Sequence, residues 1–528
     1  MTQPQPDQQV IIIGAGLAGM TAGLHLARRG LSVLLLEADP NFPGGRLQGG
    51  AAVTLEHNGR TWSFPGEHGL HGVWGQYHNL RAMLAREDID PGFVPAKEEA
   101  WILRHPKSAV QWTKGGSALR KSWIPAPFHY LALFIRPRFL QMLTLRDLAS
   151  MFRVLGGLIF ATAYDPAVED ARLDRFTLAD FFKGWSPTLQ SLFLGLARNF
   201  TSARPDQVPQ AGFIAFLRFY TLLRRDAWRF NYFNRDSHSA LIAPLQARIE
   251  AAGGKLQLGA QVTDLIRDGE GWRVQWQQPP SSEAVPEAEN EISEANASHV
   301  ILALDIPGAR KLLTHSLSAH ALTWSMAVPS VVVRYWFNRK PKGSSAEPEA
   351  GIFTGEFILD NYFWLHRIQA VFGDWSQVTG GSAVECHIYG PPEILLEPDA
   401  VLLARGLQDI GRVWPELRSA LITQSIRRNA ATHSLFSGNT DQGLSVQTPW
   451  SQLWACGDWV RYPHGSLYME RAVVTGLAAA NGVLTAKNLP TYDIQPVDPP
   501  EILVRWIERL LRWVRRRARS YGQRREQN

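Results

Sequence analysis

Three glycines stand at positions 14, 16 and 19 in the run Gly14-Ala15-Gly16-Leu17-Ala18-Gly19, and Glu37 follows. Each residue type answers a chemical need. Gly14 permits a sharp turn, Gly16 lets backbone approach a pyrophosphate, and Gly19 lets a helix pack closely on a strand. An acidic residue about twenty positions on is placed to accept both hydroxyls of an adenosine ribose. The pattern predicts a dinucleotide site, with phosphates at a helix N-terminus where free N–H groups and the helix dipole favour anions. By itself it does not choose between a nicotinamide and a flavin. The histidines at 57, 68, 71 and 78 match no zinc spacing, so no metal site is expected.

The surrounding elements fit that chemistry. Val10-Ile11-Ile12-Ile13 is a β-branched run of the length of a strand buried on both faces, and a helix follows from Met20 to His25. Val33 to Leu36 is a second apolar strand ending at Glu37. Farther on, a helix beginning near Ala240 stops at Gly253-Gly254, and strands are expected at Lys255 to Leu258, Gln261 to Leu265 and His299 to Leu304. Trp324 to Phe337 reads as a strand in the floor of a second domain. The stretch 277–298, rich in Pro, Ser, Glu and Asn, is expected to be a flexible, solvated insertion.

A chain of 528 residues is too long for one simple core. Two cysteines, Cys386 and Cys456, supply neither a disulfide framework nor a thiolate metal site, which fits a reducing compartment. The N-terminus has no charged leader, so no signal peptide is expected. No stretch reaches the roughly 20 apolar residues of a spanning helix. The 19 tryptophans point to a large apolar cavity or a membrane-contacting surface.

Gly44-Gly45-Arg46 comes shortly after Glu37, and Leu453-Trp454-Ala455-Cys456-Gly457-Asp458 ends a short strand in Gly-Asp before Tyr468-Met469-Glu470-Arg471-Ala472. Together with the glycine motif these resemble the FAD-dependent amine oxidase and phytoene desaturase superfamily. The resemblance implies FAD as cofactor, held by Gly14, Gly16, Gly19, Glu37, Gly44, Gly45, Arg46, Gly69, Val262, Gly457, Asp458 and Met469. It implies an α/β fold: a discontinuous Rossmann-type FAD-binding domain (8–84, 236–304 and 436–490) with an α+β substrate and membrane-contacting domain (85–235 and 305–435).

Glu67-His68-Gly69-Leu70-His71 resembles the element that faces the substrate in the carotenoid and squalene branch. The resemblance is closest to carotenoid desaturases, including the isorenieratene synthase-like β-ring desaturase/methylases, and extends to hydroxysqualene dehydroxylases. It implies removal of a hydride from a long apolar isoprenoid or carotenoid, with His71, Glu67 and His68 as catalytic candidates. A flavin amine oxidase acting on a small amine and a hydroxysqualene dehydroxylase-like enzyme are the alternatives. The electron acceptor stays open. Ser122 to Ile135 is aromatic and proline-broken, and 500–528 reads as a basic amphipathic helix with Leu503, Trp506, Ile507, Leu510, Leu511, Trp513 and Val514 at helical spacing. Arginines beside so wide an apolar face suit an anionic membrane surface better than nucleic acid. The expected location is cytoplasmic, peripherally associated with the membrane.

Overall fold

The strand Gln8–Ile13 lies between two parallel neighbours, pairing Val10 with Val33 of Val33–Leu36 and Ile11 with Val300 of Glu291–Leu302. Val10 to Ile13 are almost wholly buried, which is what a continuous β-branched run requires of its surroundings. The computed structural model describes residues 8–106, 108–166, 173, 175–201, 204–278, 291–435 and 443–526. Lys255–Gln257 extends the same sheet on one side; Gly271–Gln278 and Gln261–Asp268 extend it antiparallel on the other, and Leu453–Ala455 joins Glu291–Leu302. One sheet is thus drawn from three separated stretches of chain.

Every residue of the helix Leu17–Ala27 is buried. It packs on the helix Tyr468–Ala486, and a Cβ at Gly476 would stand 2.5 Å from the Ala18 carbonyl oxygen. Small residues therefore let the two backbones meet.

A second sheet runs in the order Leu421–Ser434, Ala327–Phe337, Ser382–Ile388, Asn361–Trp364, Ala350–Gly355, Glu99–Arg104 and Gln111–Lys114. Ala327–Phe337 falls within the stretch expected to be a strand, and its Val331 to Phe337 segment is buried on both faces. A helical layer between residues 116 and 228 adjoins this sheet, including Leu145–Ala163, whose start is closed by reciprocal hydrogen bonds between Thr144 and Asp147.

One expectation needs correction. Residues 277–278 and 291–298 are not a solvated insertion: Glu291–Leu302 pairs antiparallel with Gly271–Gln278, Gln278 opposite Glu291 and Trp276 opposite Ser293. Pairing in the ladder, with Ala295 and Ala297 turned into the core, orders a stretch whose composition alone is that of a loop. The rest of that expected insertion, 279–290, lies outside the described residues. The C-terminal helix Ile502–Glu526 forms, and one edge of its apolar side is packed against the protein. Val504 is fully buried, with Ile507 and Leu511 partly covered, whereas Trp506, Leu510 and Trp513 are 64%, 60% and 52% exposed. The inner side packs on Leu145–Ala163. It is fastened by Arg218, which donates to Glu508 (2.9 Å) and to the Thr162 carbonyl (2.5 Å).

Arg218→Met leaves Glu508 buried without its cation and is expected to cost about 3–5 kcal/mol. Limited trypsin digestion should then cut the helix after residue 500 faster than in the parent. An unchanged digestion rate would mean that apolar packing alone holds the helix.

Candidate active site

The strand ends that carry the glycine motif open into a cavity of about 970 Å³ between the two sheets. At one end lies Glu37, whose carboxylate accepts the backbone N–H of Ala15 (2.9 Å) and of Asp39 (3.0 Å). Burial pushes this carboxyl above its ordinary value. Val262 lines the same region.

Gly14 has φ +103°, and a Cβ there would stand 2.6 Å from the Ala303 carbonyl oxygen, so only glycine makes the turn. At Gly16 a Cβ would meet nothing within 4 Å: its open side faces the cavity. Gly19 does not line the cavity; a Cβ there would stand 2.0 Å from the Gly14 carbonyl oxygen, so it serves close packing. Gly44 (φ +115°) donates its N–H to Ala15, bringing the paired glycines against the first turn.

Arg46 reaches across to Asp458 at 2.5 Å, and the Ser434 hydroxyl donates to the same carboxylate (2.9 Å). Burial favours the neutral acid, but Arg46 and Ser434 hold Asp458 below the usual carboxylate range. Gly457, at φ +145°, donates its N–H to Thr475, which anchors the strand end on the helix Tyr468–Ala486. Met469 lines the cavity, and Tyr468 stacks on His433 with ring centroids 5.5 Å apart.

His68, Gly69 and His71 also line the wall. Burial holds His68 well below its ordinary range and lowers His71 to about 4, so both are neutral near pH 7. Glu67 does not reach the cavity. It is 2% exposed, accepts the N–H and hydroxyl of Ser237 (2.9 and 3.0 Å) and the Gln369 amide (2.6 Å), and is raised to about 7 by burial. The expectation that Glu67 meets substrate is therefore corrected: a carboxylate turned away from the cavity touches His71 only through Ser237, whose hydroxyl lies 3.2 Å from Nδ1. Because that hydroxyl gives its one proton to Glu67, it accepts from His71, which makes Nδ1 the protonated nitrogen.

Beyond His71 the wall turns aromatic, with Trp74, Trp101, Trp228, Phe230, Tyr232 and Phe363. Trp74 lies 4.6 Å from Phe230 and 5.0 Å from Trp228, centroid to centroid. Glu99 is set among them, paired with Arg120 at 2.9 Å and pushed up to about 7 by burial.

Sequence reasoning missed the group under Gly69: Arg334, Glu385, His387 and Tyr389. The signal was present, since an arginine inside Val331-Val332-Val333-Arg334-Tyr335-Trp336-Phe337 and a Glu-Cys-His within a wholly buried strand are charges placed where water is excluded.

These features fit a flavin dinucleotide. The cavity is long, its turn leaves backbone bare at Gly16, and the helix starting there has no side-chain cap to occupy its N–H groups. The chain matches the flavin containing amine oxidoreductase family over residues 17–484 and belongs to it. It is an FAD-dependent oxidoreductase with the fold of that family.

Carotenoid phi-ring synthases from Chlorobaculum tepidum and Streptomyces griseus are 22% and 27% identical to it, over 91% and 90% of this chain and 89% and 87% of theirs. Zeta-carotene desaturase from Synechocystis sp. is 22% identical over 90% of this chain and 97% of its own. Cyclohexylamine oxidase from Brevibacterium oxydans, 15% identical, shares the fold with a TM-score of 0.63 over 92% of this chain and 100% of that one.

Two alanine substitutions separate cofactor contact from packing. Gly16→Ala is expected to keep the thermal midpoint of the flavin-free protein but lower bound flavin, measured as the ratio of visible to protein absorbance. Gly19→Ala should lower the midpoint, in line with an overpacking cost of about 1–3 kcal/mol.

Proposed function

We propose that this enzyme oxidises a long apolar isoprenoid, a carotenoid, by desaturation. The observation that carries the reading is the continuity of one cavity from the Arg46–Asp458 pair into an aromatic-lined extension suited to a polyene. The names of the carotenoid relatives support it.

FAD when bound supplies the two-electron oxidation. Residues of 8–84, 236–304 and 436–490 hold it: Glu37 takes the ribose and Val262 the adenine side. Gly14, Gly16, Gly44 and Gly45 give backbone access to the phosphates, Gly19 closes the packing behind them, and Arg46, Gly69, Gly457, Asp458 and Met469 surround the flavin end. The chain from 85–235 and 305–435 contributes the substrate wall. Facing that wall from the first segment, His68 and His71 meet the substrate as neutral imidazoles, Glu67 positions His71 through Ser237, and the aromatic wall excludes water and aligns the reacting carbon.

A membrane surface is the proposed source of so apolar a substrate. Trp123, Leu145 and Phe152 are 79%, 85% and 67% exposed; with Trp506, Leu510, Trp513 and the arginines around them they suit the interface of an anionic bilayer. Among the described residues no helix is long and apolar enough to cross a membrane.

The anaerobic visible spectrum, recorded with carotenoids dispersed in liposomes, tests the reaction. Bleaching of the flavin together with a more unsaturated extracted product is the expected outcome; bleaching by amines and not by carotenoids would overturn it in favour of amine oxidation. Replacing Trp506, Leu510 and Trp513 by serine should weaken binding to anionic liposomes by about tenfold or more. Undiminished binding would remove the membrane from the scheme.

A further inference from the structure

Glu385 and His387 point to one side of the strand Ser382–Ile388, and Tyr389 follows two residues later. Arg334 donates from Nε to one oxygen of Glu385 at 2.7 Å, with Nη2 at the same distance as an ion-pair contact only; the other oxygen accepts the Leu70 N–H at 2.6 Å and meets His387 Nε2 at 2.7 Å. Tyr389 Oη lies 2.7 Å from His387 Nδ1. His387 is nearly buried, directly beneath Gly69, where a Cβ would stand 3.1 Å from Nε2. Both His387 and Tyr389 line the cavity.

The direction of each hydrogen bond follows. Burial opposes charge on Glu385, but Arg334 and His387 hold it well below the usual carboxylate range, so it only accepts. The proton between Glu385 and His387 therefore sits on Nε2, and in the neutral ring Nδ1 carries the lone pair. Burial raises the Tyr389 phenol, which keeps its proton and donates it to Nδ1. The Asn361 amide donates to the phenol oxygen, which leaves its other lone pair for a group in the cavity. His71, by contrast, is bonded to Ser237, with Glu67 one step further back, and to the Gly69 backbone.

We propose that Tyr389, His387 and Glu385 form the proton relay of the reaction, with Tyr389 touching the substrate, His387 storing the proton and Glu385 positioning His387. The inference rests on the desaturation reading. Desaturation removes two hydrogens and two electrons; one hydrogen leaves with both electrons to the oxidised flavin, and a proton must leave the adjacent carbon. The electron pair of that C–H bond becomes the second bond of the new double bond. Its proton passes to the Tyr389 oxygen as the phenol proton passes to His387 Nδ1, and the resulting imidazolium faces the Glu385 carboxylate. The protein ends one proton richer, which it later releases to solvent.

The relay needs the Nδ1 lone pair of His387. Its charged and polar surroundings are Arg334 from one neighbouring strand, Asn361 from the other, Glu67 and His71 from the loop above, Glu385 and Tyr389 on its own segment, and Asp360, which accepts the Tyr389 N–H.

In single turnover with a carotenoid in liposomes, Tyr389→Phe should keep flavin content and carotenoid binding but slow product formation by about 100-fold. His387→Gln, which has no ring nitrogen to store the proton, should slow it as well. Tyr389→Phe turning over at the parent rate with the parent pH profile would overturn the relay. A second readout needs no turnover: in histidine-labelled holoenzyme, the ¹⁵N signals that vanish in His387→Gln should report Nε2 protonated and Nδ1 bare. The opposite tautomer would overturn the relay. Should the parent enzyme convert no carotenoid, the substrate reading falls, and the tautomer still decides the relay.

Discussion

Arg46 and Asp458 are 412 residues apart in sequence and 2.5 Å apart in space, in the wall of the cavity that defines the enzyme. Two charges so placed hold each other there: Asp458 is nearly buried, and without Arg46 its carboxylate would stay desolvated and unpaired by any cation. The pair thus ties the loop after the second strand to the strand end before the helix Tyr468–Ala486. The close approach of that helix to Leu17–Ala27, at Gly476 and Ala18, makes the same connection with backbone rather than charge. Together they bring the beginning and the end of the chain to one site.

The cavity divides by chemistry along its length. Around the glycine turn it offers bare backbone and charged pairs, the equipment for a phosphate-bearing cofactor. Past Gly69 it becomes aromatic, yet the wall there hides a fully connected polar group running through Arg334, Glu385, His387 and Tyr389. Burial gives these polar residues their character. Exclusion of water holds His68 and His71 neutral, while Glu385 stays ionised because a guanidinium touches it directly. Side chains on one wall of the cavity are driven to different charge states by what they touch.

The outer surface continues this division. The C-terminal helix turns Glu508 and Val504 inward to the helical layer and leaves tryptophans outside, so it stabilises the fold and offers an apolar face at once. Without Arg218 to receive Glu508, its inner face would bury a carboxylate alone.

The sequence by itself determined the elements whose meaning is local. The turn at Gly14, the bare approach at Gly16, the tight packing of Gly19, the acid at Glu37 and the β-branched strand before them are set by spacing and by what each side chain permits, and the cavity forms around them. Tertiary structure alone decided the rest. Glu385 and Arg334 are 51 residues apart, Glu385 and Leu70 are 315 apart, and their meeting depends on strand order and register, which no local pattern encodes. Residues 291–298 have the composition of a loop and become a strand because a neighbour supplies the ladder. Glu67 stands beside two cavity histidines in sequence, yet its backbone turns it toward Ser237 and away from the cavity. In the last helix, amphipathic spacing identified the apolar residues, but only the neighbouring helix could choose which of them it covers. Short-range sterics are written in the order of residues; the partner that satisfies a buried charge or strand edge exists only once distant segments have packed.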